Sequence, residues 1–120
     1  MRDFRQLRVW SSAHELTLAL YRATRSFPKD EPYGRTAQIR RAAASIGANI
    51  AEGCGRRGRK ELSRFLVVAA GSASELDDHL LLAADLALLD RSAYQHLADR
   101  LAGVRRMLST FIRKLATQSD

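Results

Sequence analysis

Apolar residues recur at steps of three and four along four segments of the chain, with short polar breaks between them. The first stripe is Leu7, Trp10, Ala13, Leu16 or Thr17, Leu20 or Tyr21, Thr24 and Phe27. That spacing predicts an amphipathic helix over about 8–27. Ser11 or Ser12 is a candidate cap, with Glu15 three residues beyond Ser12 as in a capping box. Pro28 stops the helix by pushing the residue before it out of the α region. A second helix is expected over 32–53, capped by Asp30 with Glu31 and Pro32 in its first turn and ended by Gly53.

The third segment, 59–89, carries Leu62, Leu66, Ala69, Ala73, Leu76, Leu80, Ala83 and Ala87 in an unbroken seam. Val68, Leu82 and Leu86 form a second apolar set pointing elsewhere. Gly71 in mid-helix costs about 1 kcal/mol relative to alanine, so a close packing contact is expected there. Asp90 or Ser92 caps a fourth helix over 91–117, with Tyr94, Leu97, Leu101, Val104, Leu108, Phe111 or Ile112, and Leu115 inward. Gln118-Ser119-Asp120 reads as a frayed end. No strand-like alternation or fixed-period repeat competes. The pattern predicts one all-α domain over 1–120, an up-down-up-down antiparallel four-helix bundle.

The second helix divides into three faces at 100° per residue. Ile39, Ala43, Ile46 and Ile50 form a core face. Gln38, Arg41, Ser45, Asn49 and Glu52 form a polar stripe whose simplest role is a hydrogen-bonded register lock. Ala44, Gly47, Ala48 and Ala51 form a small-residue face, where a second chain can approach closely. One bundle core cannot surround a helix with so few charges, so these four residues are the expected oligomer interface.

Charge adds an anionic partner to this picture. Lys and Arg number 20 against 13 Asp and Glu, giving a net charge of +7 and a pI near 10.5. Such a balance favours nucleic acid or, less often, a membrane surface. Residues 31–60 carry +5 and residues 61–90 carry −5. The single cysteine, Cys54, cannot form an intramolecular disulfide and fits a reducing compartment. Residues 1–6 lack the apolar run of a signal peptide. No stretch reaches the roughly 18 apolar residues of a membrane span. The expectation is a cytoplasmic protein with no membrane partner.

Catalytic and metal chemistry find little to build on. A di-iron bundle needs Glu-x-x-His on two helices, and no glutamate here has histidine at the third position after it. Glu75, Asp78 and His79 read as a solvated acidic face. His14, His79 and His96 stand on separate helices, and Cys54 reads as structural. Gly53, Gly55 and Gly58 do not form a phosphate loop. No catalytic residue, metal or cofactor is expected. The best candidate site is the cationic loop Arg56, Arg57, Arg59 and Lys60, with Arg64 one turn on and Arg40 and Arg41 as contributors. A following helix N-terminus adds outward amides. Few aromatics interleave, so RNA contact would fall on the backbone rather than on stacked bases. The competing reading is a solvated helix connection.

Several spaced motifs resemble a known family. They are Phe4-x-x-Leu7-x-Val9-Trp10-x-x-Ala13, Tyr21, Phe27-Pro28, Glu31-x-Tyr33-Gly34, Gln38-Ile39-Arg40-Arg41-Ala42-Ala43-x-Ser45-Ile46-x-x-Asn49-Ile50-Ala51-Glu52-Gly53, and Gly71-Ser72-Ala73-x-Glu75-Leu76. Together they resemble the bundle proteins named after open reading frames in intervening sequences of bacterial 23S ribosomal RNA genes. The resemblance covers almost the whole chain. It implies a small cytoplasmic bacterial four-helix bundle in a homo-oligomeric ring, pentameric in characterised relatives, with no established enzymatic activity. A related bundle is the accessory variability protein of diversity-generating retroelements, a basic ring that binds RNA and a reverse transcriptase. The Asn49–Gly53 signature is more typical of the intervening-sequence group, so the retroelement role is an analogy. The resulting expectation is a non-enzymatic homo-oligomer that associates with structured, ribosomal RNA through a basic surface. The alternative is a protein-assembly adaptor, such as an accessory factor of a diversity-generating reverse transcriptase.

Overall fold

A computed structural model describes residues 2–32 and 34–118. Tyr33 of the family motif, and Ser119 and Asp120 of the expected frayed end, lie outside the described residues. A single 3-10 turn, Phe4–Gln6, leads into α1 (Arg8–Thr24), α2 (Arg35–Gly55), α3 (Arg59–Asp85) and α4 (Arg91–Thr117). Each helix packs on its neighbours in sequence, and α4 returns to α1, which closes a four-helix bundle 49 Å long and 21 Å across. No strand occurs among the described residues.

The core is the one the periodicity predicts. Ala13, Leu16 and Leu20 of α1 meet Ile39, Ala43, Ile46 and Ile50 of α2. Leu66, Ala69, Ala73, Leu76 and Leu80 of α3 and Leu101, Val104 and Leu108 of α4 complete it. The polar stripe of α2 divides its work. Ser45 Oγ lies 2.8 Å from Ser72 Oγ of α3, and Asn49 Nδ2 donates to Ser45 O and Ser45 Oγ at 2.8 and 3.0 Å. Arg41 reaches Glu75 of α3 at 3.7 Å, whereas Glu52 turns to Arg56 on its own helix. The serine pair thus joins α2 to α3, with the Arg41–Glu75 pair as a second polar contact between the same helices.

The helix ends differ from expectation where tertiary geometry outweighs local signals. Neither Ser11 nor Ser12 caps α1. Leu7 is the cap position and offers no side-chain bond, and the preceding 3-10 turn is capped by Asp3 through Arg5 N–H. The far end of α1 unwinds at Thr24 rather than 27, because Arg25 and Phe27 N–H close back onto Arg22 and Thr24 carbonyls ahead of Pro28. Helix α2 starts at Arg35, not 32. Gly34 sits at φ 65°, and Glu31 rather than Asp30 accepts the Arg35 N–H at 2.6 Å.

Gly53 is not a terminator; α2 continues to Gly55. A Cβ on Gly53 would lie 3.0 Å from Leu62 Cδ1, 3.0 Å from Phe65 Cβ and 3.3 Å from Leu62 O, so this glycine permits the α2–α3 approach. Gly71 is the reverse case, since nothing in the chain lies within 4 Å of a Cβ there. The expected packing contact is not made within one chain.

Helix α3 ends at Asp85, four residues short of the predicted Leu89. Leu88 N–H donates to Ala83 O at 2.9 Å and Ala87 N–H to Ala84 O at 3.0 Å. This is a Schellman closure, and it holds Ala87 at φ 61°. Ala87 therefore leaves the seam it was assigned to and lies exposed. Asp90 caps α4 as expected, accepting Ala93 N–H at 2.7 Å.

Two substitutions test these backbone assignments in urea unfolding at unchanged m-value. Ala87→Gly should raise stability by about 1 kcal/mol by removing the left-handed penalty of a β-carbon. Gly53→Ala should lower stability by about 1–3 kcal/mol, because Leu62 and Phe65 must move.

Candidate nucleic-acid interface

In an up-down bundle, the start of α1, the α2–α3 connection and the end of α4 share one pole. The chain ties these segments together. Arg2 N–H donates to Cys54 O at 3.1 Å, which draws the N-terminal segment across the end of α2. The Arg2 guanidinium then lies over the Phe111 ring of α4 at 5.6 Å. Between α2 and α3, Arg56 is extended and Gly58 takes φ 81°, so Arg56, Arg57, Arg59 and Lys60 turn around the pole.

The predicted cluster Arg56, Arg57, Arg59, Lys60 and Arg64 is thus brought together, and topology enlarges it. Arg2 and Arg59 line one cleft of about 310 Å³ with Arg56, over Cys54 and Leu62. Arg8, Arg106 and Lys114 join Arg2 along an adjacent groove. Lys60 and Arg64 border the end of α4 at Leu115 and Gln118. The N-terminal and α4 cations were not foreseen. Their signal lay in the up-down topology, which places residues 2–8, 56–64 and 106–114 at one end.

Arg40 and Arg41 do not belong to this cluster. At 1.5 Å per residue, Arg41 lies about 22 Å down α2 from Arg56. Arg40 donates to Thr24 Oγ1 at 2.9 Å and Tyr21 O at 3.1 Å, with its guanidinium 4.6 Å from the Tyr21 ring. Arg41 is the partner of Glu75.

Three carboxylates stand among the polar cations, and each takes one arginine: Asp3 with Arg5, Glu52 with Arg56, and Glu61 with Arg64. Hydrogen bonds from the Arg5 N–H and guanidinium hold Asp3 below the usual carboxylate range. The Arg64 guanidinium does the same for Glu61. Both pairs are solvent-exposed and contribute little to stability. Arg8, Arg57, Lys60, Arg106 and Lys114 form no ion pair among the described residues. Phe65, the aromatic at the loop, is flanked by Arg56 and Arg64 at 5.3 and 4.4 Å from its centroid. Phe65 is thereby engaged by guanidinium groups of its own chain.

The remaining candidates resolve into structure. Cys54 is buried at 2% exposure, and burial pushes its thiol up, against the pull of Arg2. His79 is buried too, and its Nδ1 faces Arg35 Nη1 at 2.9 Å. Arginine only donates, so Nδ1 accepts and the ring proton sits on Nε2. Glu75 lies 3.6 Å from that Nε2, too far for a hydrogen bond. No group of three or more His, Cys, Asp or Glu that could hold a metal ion occurs among the described residues. No helix among them is long and apolar enough to cross a membrane.

The small-residue face of α2 also divides. Gly47 packs on the Trp10 indole of its own chain, with a Cβ position 3.4 Å from Nε1. Ala51 borders the N-terminal 3-10 segment at Phe4. Ala44 and Ala48 stay exposed, as do Leu18 and Tyr21 of α1, Val68 and Leu82 of α3, and Leu86 just past its end.

Fold and site together define a small four-helix bundle with one cationic pole and an apolar flank. The profile described as 23S rRNA-intervening sequence protein matches residues 5–110, and the chain belongs to that family. The crystal structure of a protein of unknown function from the S23 ribosomal protein family of Bacteroides thetaiotaomicron VPI-5482 superposes with a TM-score of 0.79 at 22% identity. The match covers 88% of this chain and 98% of that one, and it establishes a shared fold. No curated protein matches the chain.

The buried thiol gives a direct check. Because the folded thiol ionises above its unfolded value, its stabilising contribution is complete below that value, about pH 8.5, and is lost as pH rises through the folded one. Iodoacetamide at pH 8 should modify Cys54 at least tenfold more slowly in native than in urea-unfolded protein. Native stability should decline between pH 8.5 and 10 in the wild type more steeply than in Cys54→Ala.

Proposed function

We propose that this chain is a non-enzymatic, homo-oligomeric, cytoplasmic bundle that associates with structured RNA, ribosomal RNA foremost, through its cationic pole. The observation that carries this reading is the convergence of arginines and lysines from three separate segments on one end of a 49 Å rod. The few carboxylates there are already paired. The cations of such a pole displace the counterions condensed on RNA phosphates, and the release of those ions favours binding. The family's description links it to ribosomal RNA genes, which makes ribosomal RNA the first ligand to try.

Self-association is supported by the flank. Leu18, Tyr21, Val67, Val68, Leu81, Leu82 and Leu86 are exposed large hydrophobics on α1, along α3 and just past its end. Exposed apolar side chains in such number suit burial against a second chain. Gly71 lies on the exposed side of α3 with open space above it, which suits a close approach by a second chain. A ring, pentameric as in the relatives the motifs resemble, would repeat this contact and present several poles together.

Two measurements test the proposal. Binding of a labelled 23S RNA fragment should weaken about 500-fold between 50 and 200 mM salt, as about five phosphate contacts on duplex-like RNA require. Replacing Arg56, Arg57 and Arg59 together by Gln should weaken binding to every RNA tested at least tenfold and flatten the salt slope, whereas Arg41→Gln should leave both unchanged. A salt-independent affinity would refute the phosphate-contact model. In light scattering at micromolar concentration, the wild type should exceed monomer mass. Ala48→Glu with Val68→Glu should yield a folded, fully helical monomer; a monomeric wild type would end the oligomer reading.

A further inference from the structure

The cationic rim beside the pole encloses something a nucleic acid does not need. Between the start of α1 and the end of α4 runs a groove of about 540 Å³, floored by Leu7, Val9, Met107, Phe111 and Leu115. Leu7, Met107 and Phe111 are only half-buried, so the floor presents apolar surface to water. Arg2, Arg8, Arg106 and Lys114 line the same groove, and no carboxylate does among the described residues. Along α4 the lining extends from Arg106 to Gln118, about 18 Å or three helical turns.

We infer that this α1–α4 groove docks an acidic amphipathic helix of a partner protein. Each feature of the groove narrows the occupant. The rim demands negative charge, and the floor demands an apolar stripe. RNA answers the rim but leaves the floor wet. A single acyl chain with an anionic head could answer both, but the groove is open along its length and would leave one side of the chain in water. A helix has the opposite need. It buries one stripe at i, i+3, i+4 and i+7, keeps its back in solvent, and can flank the stripe with Glu and Asp. A second copy of this chain is less suited, because Glu75 and Asp77 of its acidic helix α3 are already engaged by Arg41 and Arg105. The inference shares the α1 and α4 cations with the RNA reading, but it adds the apolar floor and does not use the Arg56–Lys60 loop.

The test is fluorescence anisotropy of the full chain with a designed, fluorescein-labelled peptide of about 18 residues carrying a Leu stripe flanked by Glu. Controls are a scrambled peptide of the same composition and a version with Lys for Glu. The acidic amphipathic peptide should bind one per chain, at least tenfold tighter than the scrambled one. Arg8→Glu with Lys114→Glu, both on exposed side chains, should weaken it at least tenfold while circular dichroism stays unchanged. The Lys-for-Glu peptide should regain affinity for that variant. The Arg56, Arg57 and Arg59 triple variant should keep the peptide, so loss of RNA binding and loss of peptide binding are read separately. Equal binding of the scrambled peptide, or indifference to the charge reversal, would overturn the inference. So would laurate occupying the groove when the peptide does not, which assigns it to an anionic lipid. A fall in mass for the charge-reversed variant would also overturn it, assigning the groove to a second copy.

Discussion

Gly53 has no side chain because the contact between α2 and α3 leaves no room for one, with Leu62 and Phe65 atoms 3.0 Å from where a Cβ would stand. This close approach governs the rest of the pole. Two helices pressed together at their ends can be joined by a very short connection. Arg56 to Gly58 suffices, and its extended and left-handed backbone turns the chain through the reversal. Basic residues on so short a turn have nowhere to go but outward. The same approach buries Cys54 and orients its carbonyl to receive Arg2 N–H, which fastens the N-terminal segment across the pole. Away from the pole, the Ser45–Ser72 pair joins the same two helices. Packing between α2 and α3 is thus the constraint from which both the core alignment and the surface charge follow.

The charge so gathered opposes folding. Like charges within a Debye length of about 8 Å repel, and a pole built from three segments cannot disperse them by local choice of sequence. The structure moderates the repulsion with ion pairs at Asp3, Glu52 and Glu61 and by laying Arg2, Arg56 and Arg64 on aromatic rings. Cation–π contacts at exposed sites are worth about 0.5–1 kcal/mol each, so they lessen the strain without removing it. A polyanion that binds the folded pole and not the dispersed charges of the unfolded chain would stabilise the bundle by mass action.

Much of the fold was readable in advance because it rests on periodicity. The buried faces of all four helices, and the Asp90 cap, follow from residue spacing and from a single side chain with one strong local partner. What was not readable depends on chain segments far apart in sequence. Gly53 reads locally as a helix terminator, and only the neighbouring α3 shows it to be a packing glycine. Ala87 continues a four-three seam, and only the Ala83 and Ala84 carbonyls show that the backbone has already reversed. In the basic site, the loop arginines were visible as a run. Arg2, Arg8, Arg106 and Lys114 were not, because their proximity is a product of topology. Arg40 and Arg41 were placed with the loop by adjacency along one helix, although about fifteen residues, some 22 Å of helix, separate Arg41 from Arg56.

The three surfaces of the bundle are separable, and this bears on how it could act. The apolar flank of Ala44, Ala48, Val68, Leu82 and Leu86 runs along α2 and α3. The groove of Met107 and Phe111 lies on the side of α1 and α4. The cations cap one end. In a bundle 49 Å long and 21 Å across, a contact along the α2–α3 flank can be closed without covering either of the others. Assembly through the flank would then raise the local concentration of poles without changing any single pole. Weak phosphate contacts, each screened by salt, would gain most from such multiplicity, because a second pole in an assembly would engage at an effective concentration set by the assembly and not by the solution. For a bundle with one modest cationic end, assembly through a face remote from that end would therefore strengthen binding without obstructing it.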